Sequence, residues 1–308
     1  MPAVSVILPI FNAELMVVPA IESVFRQTFT DYEIIAVDDC STDRSWSRVQ
    51  GLADARLKSF RAERNSGASA ARNLAIRQAC GEWLAFLDAD DQWTPRHLEV
   101  MMGRANGYIF VAPSKLSGVP DTSGVLHPLN GFIEAGSGKA KLLDQSSFAE
   151  ALGREYVFTK RSFVIEHGIR FLETGGRGDC GGDWMYYMAE LLLRGASGCL
   201  AFEPTYLYRV TGYHTSSSFE AMAQQFSTID RLSRESGVPA EVRDSLIRSL
   251  PAMRRRLNAA ALRSRKWKQF FGLLRANPSN ILYIGFAATS FLFRKLRYGV
   301  KRWGLGQS

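Results

Sequence analysis

The sequence is poor in several features that would each have fixed its class. Its four cysteines in 308 residues, at positions 40, 80, 180 and 199, form no C-x-x-C pair and have no histidine at zinc spacing. That excludes a disulfide framework and a structural zinc knuckle, and it suits a reducing compartment. No apolar run approaches the roughly 20 residues of a membrane-spanning helix; the longest, Ile281 to Phe293, has 13. The N-terminus lacks a basic region ahead of an apolar core. The run Val4 to Leu8 stops at Pro9, so it reads as a buried strand and not as a signal peptide. Phosphate-binding glycine loops are missing too. PIFNAE stands after the first strand where G-x-x-x-x-G-K-[ST] or G-x-G-x-x-G would be, which disfavours P-loop and dinucleotide chemistry.

Negative charge is absent from the end of the chain. Residues Pro251 to Ser308 hold 13 Lys or Arg and no Asp or Glu, so the net charge of +8 is local to this tail. Trp267, Phe270, Phe271, Tyr283, Phe286, Phe291, Phe293 and Trp303 are interspersed with the basic residues. Basic and aromatic side chains on short helices suit an anionic membrane surface. Packing of the apolar segment on protein is the alternative. Nucleic acid ranks lower, because no nucleic-acid module accompanies the tail.

What is present is alternation. Short aliphatic runs at Val4 to Leu8, Glu33 to Val37, Leu57 to Phe60 and Trp83 to Leu87 alternate with helical patterns at Val17 to Gln27, Arg44 to Leu52, Gly67 to Ala79 and Pro95 to Ala105. That order predicts an α/β fold with a mostly parallel central sheet flanked by helices. Pro19 sits awkwardly in the first helix. Thr94 is expected to cap the fourth, with Pro95 at its first position. Tyr108 to Val111 reads as a further strand, and Pro113 to Ser147 as loop and hairpin without a clear period. A helix from about Asp183 to Arg194 and a strand from Cys199 to Tyr208 follow, then a polar loop and, from Phe219, helix.

Three acidic clusters fall at predicted strand ends, where an open parallel sheet exposes its ligand crevice. Asp38 and Asp39 in VDDCSTDRS follow the second strand; Asp39 can accept a hydrogen bond from a ribose or base, while Ser41, Thr42 and Asp43 can cap the next helix. Asp88, Asp90 and Asp91 in FLDADD follow an apolar strand. Carboxylates this close repel one another unless a cation intervenes, and a hard divalent ion with phosphate oxygens is the natural one. The third cluster is GGRGDCGGDWMYY, where Asp183 can act as a base, cap a helix, or do both.

Together PIFNAE (9 to 14), SVFRQTF (23 to 29), VDDCSTDRS (37 to 45), NSGASAARN (65 to 73) and FLDADDQW (86 to 93) resemble the family 2 glycosyltransferases of the GT-A fold, of the bacterial polysaccharide-biosynthesis type. The resemblance is close over residues 4 to 93 and looser to about 218. It implies inverting transfer of a sugar from a nucleoside diphosphate donor, expected to be a UDP-sugar, to a hydroxyl of a lipid-linked or polysaccharide acceptor, with Mn²⁺ or Mg²⁺. By the same resemblance Pro9, Phe11 and Glu14 line the nucleotide pocket and Asp39 meets the base. Asn65 and Arg72 lie beside the donor, although Arg72 can equally pair with a nearby acid. Asp88 contacts ribose or sugar, or the metal, and Asp90 holds the metal. Asp183 is the general base, with Asp179 as second candidate and Trp184 at the substrate. Arg209 holds the diphosphate and His214 adds a metal or phosphate contact. The family's usual Glu before the base is Gly182 here.

The expected organisation is a GT-A domain over 1–218, with a donor half to 112 and an acceptor half from 113, then a basic helical extension over 219–308. The expected location is cytoplasmic, peripheral on the inner face of the membrane. The rival functions are a non-catalytic sugar-nucleotide-binding protein and a sugar-phosphate nucleotidyltransferase; the latter usually carries a basic glycine-rich loop that is missing here.

Overall fold

The structure is a computed structural model that describes residues 1–132, 141–144, 147, 151, 154–173, 182–210 and 219–263. Strands β1 (Val4–Ile10), β2 (Tyr32–Asp38), β3 (Leu57–Arg61) and β4 (Trp83–Phe86) are linked by helices α1 (Val17–Phe25), α2 (Ser45–Gln50) and α3 (Ala68–Gln78). They form a parallel half-sheet in the order β3-β2-β1-β4. Every residue of β1 and β2 is buried, as continuous aliphatic strands covered on both faces require. β4 stops pairing at Phe86, opposite Ile7. Pro9 therefore lies beyond that ladder, where its missing N–H breaks no bond to β4 and the sheet opens.

Beyond β4 the sheet becomes mixed. β9 (Phe158–Lys160) runs antiparallel between β4 and β6 (Phe110–Pro120), and β10 (Gly198–Arg209) runs parallel to β6. β5 (Gln92–Trp93) and β8 (Lys141–Leu143) add antiparallel to β10, and β7 (Leu126–Phe132) to β6. The loop and hairpin expected over Pro113 to Ser147 is a hairpin in its first part, with strand where loop was expected directly after Pro113. Residues up to Pro120 prolong β6, which turns through Asp121 to Gly124 into β7. The tight β6–β7 pairing overrides the poor strand propensity of Pro, Gly and Ser in this stretch.

Helix α4 (His97–Arg104) starts two residues later than Thr94 and Pro95 predict. Arg96 is its N-cap, without a side-chain cap bond, and the Thr94 carbonyl accepts from the His97 N–H at 3.1 Å. Its inward side is apolar, with Leu98 and Met101 fully buried. Pro19 sits in the third position of α1, early enough to forfeit no intrahelical bond.

α5 (Arg161–Glu166) leads toward α6 (Gly182–Leu193), which drives Trp184, Tyr187, Met188, Leu191 and Leu192 into the core. Phe171 joins them. It stacks on Tyr187 with centroids 4.4 Å apart and meets Trp184 edge to face at 4.9 Å. Asn73 brackets the Phe171 backbone with two 2.9 Å hydrogen bonds, one in each direction. Helices α7 (Phe219–Leu232) and α8 (Ala240–Arg263) continue the same core through Ile229, Leu232, Val238, Val242 and Leu246, and Leu257 of α8 is buried as well. No helix among the described residues is long and apolar enough to cross a membrane. The aromatic part of the basic tail, from Trp267 on, lies outside the described residues.

Truncating Phe171 to Ala empties a fully buried site in this aromatic cluster and should cost about 3–5 kcal/mol, read as a lowered urea midpoint at unchanged slope.

Candidate active site

The carboxyl ends of β1, β2 and β4 open into a cleft of about 320 Å³. Its first wall is Pro9, Ile10 and Phe11 after β1, Asp39 after β2, and Ala68, Ala71 and Arg72 on α3. Asp88, Ala89 and Asp90 form the floor, and Glu155, Tyr156, Asp183, Trp184 and Tyr208 form the opposite wall. The cleft therefore gathers one member or more of each acidic cluster.

Asp39 is 2% exposed and receives the backbone N–H groups of Ser66 at 2.9 Å and Gly67 at 2.8 Å. Gly67 has φ of +94° at the N-cap of α3, a conformation that favours glycine. Asp39 thereby shapes the turn that starts α3 as well as facing the cleft. Arg72, one turn into α3, is 3% exposed and sits between two carboxylates: NH2 donates to Asp88 at 2.7 Å and NH1 to Asp183 at 2.6 Å. Arg72 therefore pairs with acids while it lines the cleft. Burial opposes its charge, but Asp88 and Asp183 more than compensate and hold the guanidinium firmly protonated.

Asp183, 1% exposed, opens α6 and receives the Trp184 N–H at 2.9 Å on its second oxygen. Burial pushes its carboxyl up to about 6, against the pull of Arg72 and the Trp184 N–H. A group so poised can take a proton near neutral pH. Asp183 does not cap the helix as expected, since it lies one residue inside the first turn, where its charge suits the helix N-terminus while its side chain lines the cleft.

The three acids of FLDADD are treated differently. Asp91 is buried and held by the Tyr206 hydroxyl at 2.9 Å and the Arg209 N–H at 2.8 Å; burial and its two acidic neighbours push its carboxyl well above the usual range. Asp88 is fastened by Arg72 and by the Tyr156 hydroxyl at 3.0 Å. Asp90 faces the open cleft, and desolvation there together with the charge of Asp88 pushes it up to about 6. One oxygen from each of the three lies within 4.8 Å of the others, a spacing one divalent cation can bridge. A cation would relieve the repulsion that raises Asp90, so the donor set fits a hard metal.

Three expected contacts differ. Glu14 does not line the cleft; it turns to the α2 side, accepting from the Arg44 N–H at 3.1 Å and pairing with its guanidinium at 3.4 Å. Asn65 is likewise outside the lining, one residue before the turn held by Asp39. Arg209 is a further correction. Its Nε donates to the Asp90 carbonyl at 2.7 Å and NH2 to the Gly124 carbonyl at 3.1 Å, so it ties the acidic loop to the β6–β7 turn and leaves the cleft itself. Its strand position pairs beside Gly118, which turns the side chain under the loop. His214 and Asp179 lie outside the described residues. Sequence reasoning missed Tyr156 and Glu155, which follow an aperiodic stretch with no local signal, and Lys115, which pairs with Glu155 at 2.8 Å.

Replacing Arg72 with Met strands two carboxylates in a dry site. It should lower unfolding free energy by about 3–5 kcal/mol at pH 8 and by less at pH 5, where the Asp183 carboxyl takes up a proton. Urea titrations at both pH values check it.

Residues 5–142 match the family model described as Glycosyl transferase family 2. The chain is 39% identical over 99 residues to the Escherichia coli UDP-Glc:alpha-D-GlcNAc-diphosphoundecaprenol beta-1,3-glucosyltransferase WfgD, covering 32% of this chain and 39% of that one. It is 37% identical over 105 residues to the Rhizobium meliloti succinoglycan biosynthesis protein ExoO, covering 34% and 30%. The aligned stretch spans less than half the length of either relative. Among solved structures, S. aureus TarS 1–349 in complex with UDP-GlcNAc matches with TM-score 0.66 at 18% identity, over 88% of this chain and 79% of that one. The mannosyltransferase PcManGT from Pyrobaculum calidifontis, in complex with GDP-Man and Mn²⁺, matches with TM-score 0.56 at 18% identity, over 94% and 81%. The mixed sheet and its cleft are those of the GT-A fold, and residues 5–142 are similar to the family 2 glycosyl transferases.

Proposed function

We propose that the protein is an inverting glycosyltransferase that moves a sugar from a nucleoside diphosphate sugar, a UDP-sugar by preference, to a hydroxyl of a lipid-linked or polysaccharide acceptor. The observation that carries this reading is that Asp39, Asp88, Asp90 and Asp183 line one continuous cleft. The names of the relatives support the substrate classes: WfgD acts on a diphosphoundecaprenol, and TarS was crystallised with UDP-GlcNAc.

The donor's nucleotide rests on the wall from Pro9 to Phe11 with Asp39, contributed by residues 1–112. The acceptor enters against Glu155, Tyr156, Trp184 and Tyr208, contributed by residues 113–218. Asp90, with Asp88 beside it, would hold a Mg²⁺ or Mn²⁺, which supplies charge to offset the leaving diphosphate. Asp183 takes the acceptor proton as its oxygen attacks the anomeric carbon. The nucleoside diphosphate departs from the opposite face, so configuration inverts. Only one carboxylate base is needed for such a displacement, unlike hydrolysis, where a second must protonate the leaving oxygen. Arg72 holds Asp183 in place and keeps a compensating charge beside it as the developing proton transfer changes its ionisation.

The experiment is release of nucleoside diphosphate from a panel of UDP- and GDP-sugars, with and without EDTA. Release with a UDP-sugar that EDTA abolishes supports the reading; a panel without any turnover or binding overturns it. Asp183→Asn should cut turnover by about 10²–10⁴ while leaving donor affinity within a few-fold, as general-base loss does. A base titrating near 6 gives kcat/KM an acid limb: because the ionised form is the active one, rate falls about tenfold per pH unit below that value.

The basic tail places the enzyme on an anionic inner membrane face, next to a lipid-linked acceptor. Its charge, 13 basic residues without an acid, supports this. Full-length protein should sediment with phosphatidylglycerol vesicles at low salt, and a chain ending at Arg263 should stay in the supernatant.

A further inference from the structure

Two stacked tyrosines stand behind the acidic loop. Tyr156 and Tyr206 lie ring on ring, centroids 4.4 Å apart and 24° from parallel, and each phenol bonds a different acid. Tyr206 gives its hydroxyl to Asp91 and Tyr156 gives its own to Asp88, at 2.9 and 3.0 Å. Tyr156 reaches that position at a cost. Its φ of +58° is a left-handed backbone that a bulky residue rarely adopts, and such strain persists only where surrounding contacts impose it. Here those contacts are the stacked ring of Tyr206, the tilted indole of Trp184 at 5.2 Å and the Lys115 ammonium 5.3 Å from the ring centroid. The ring is 7% exposed, so the geometry is fixed by packing and not by solvent.

We infer that Tyr156 is a positioning residue of the donor site: its hydroxyl, with Arg72 on the other oxygen, pins the Asp88 carboxylate so that Asp90 alone presents an unfastened carboxylate to the cation. The claim rests on the donor-site reading above. Three acids on one short loop can pair with a metal and with one another in several ways. Tyr206 removes Asp91 from the choice by burying and bonding it, and Tyr156 removes the rotational freedom of Asp88. A hydrogen-bonding partner behind a carboxylate ligand typically contributes one to two orders of magnitude to metal affinity.

Tyr156→Phe keeps the ring and removes the hydroxyl. Binding of Mn²⁺, alone and with UDP, is followed by the loss of the free-ion electron paramagnetic resonance signal in wild type, Tyr156→Phe and, as a comparison outside the proposal, Phe163→Leu. The expected result is a loss of about tenfold in Mn²⁺·UDP affinity for Tyr156→Phe, with the melting temperature within a few degrees of wild type and Phe163→Leu binding as wild type does. Affinity unchanged within twofold, or increased, overturns the inference. If wild type binds neither Mn²⁺ nor Mn²⁺·UDP, the donor-site reading fails. A crystal structure of Tyr156→Phe then decides the positioning claim separately: a displaced Asp88 carboxylate upholds it, and one that keeps its place within about 0.5 Å overturns it.

Discussion

A buried guanidinium between two carboxylates is the contact on which the cleft depends. Arg72 comes from α3, Asp88 from the end of β4 and Asp183 from the start of α6, so the two salt bridges join the parallel half of the sheet to the helix that carries the proposed base. None of the three charges would be tolerated alone at this depth, because the desolvation of an unpaired ion exceeds anything packing returns. Together they leave one net negative charge in the dry part of the cleft. Phe171 and Trp184 complete the enclosure, their ring centroids 5.3 and 5.4 Å from the guanidinium carbon. Aromatic faces attract the cation while excluding the water that would screen it.

The same arrangement separates tasks among chemically identical side chains. Among the described residues, five aspartates lie in or beside the cleft, and their neighbours decide what each can do. Asp39 is occupied by the turn before α3, Asp91 by a phenol and a backbone N–H, and Asp88 by Arg72 and a phenol. Asp90 and Asp183 are the two pushed up to about 6, one exposed in the cleft and one buried beside Trp184. Environments that raise carboxyl pKa values at separate points of one cleft are a mark of acid–base and cation chemistry.

Arg209 braces the site through backbone carbonyls. Its side chain spans from the Asp90 carbonyl to the Gly124 carbonyl, so the acidic loop is braced against the β6–β7 turn. Gln92 reaches the same turn, its amide donating to the Gly124 carbonyl at 2.8 Å. The C-terminal end of the loop that carries the charges is thus tied twice to a hairpin from the other half of the fold. The brace limits how far Asp90 can move when charge in the cleft changes.

Much of this was legible in the amino-acid sequence because the signals are local. Aliphatic runs of the right length, helical stripes such as Leu98 and Met101, and acids directly after strands dictate an α/β sheet with its chemistry at one edge, for the reason that burial pattern and turn chemistry act over a few residues. The stretch after Pro113 was not, since strand pairing there is enforced by a partner, β10, that comes some eighty residues later. Tertiary structure alone decided the partners of each charge. Whether Arg209 would meet a ligand or two carbonyls, whether Glu14 would face the cleft or Arg44, and that Tyr156 would twist into a left-handed conformation to reach Asp88 all depend on contacts between distant segments, and periodicity carries no record of those.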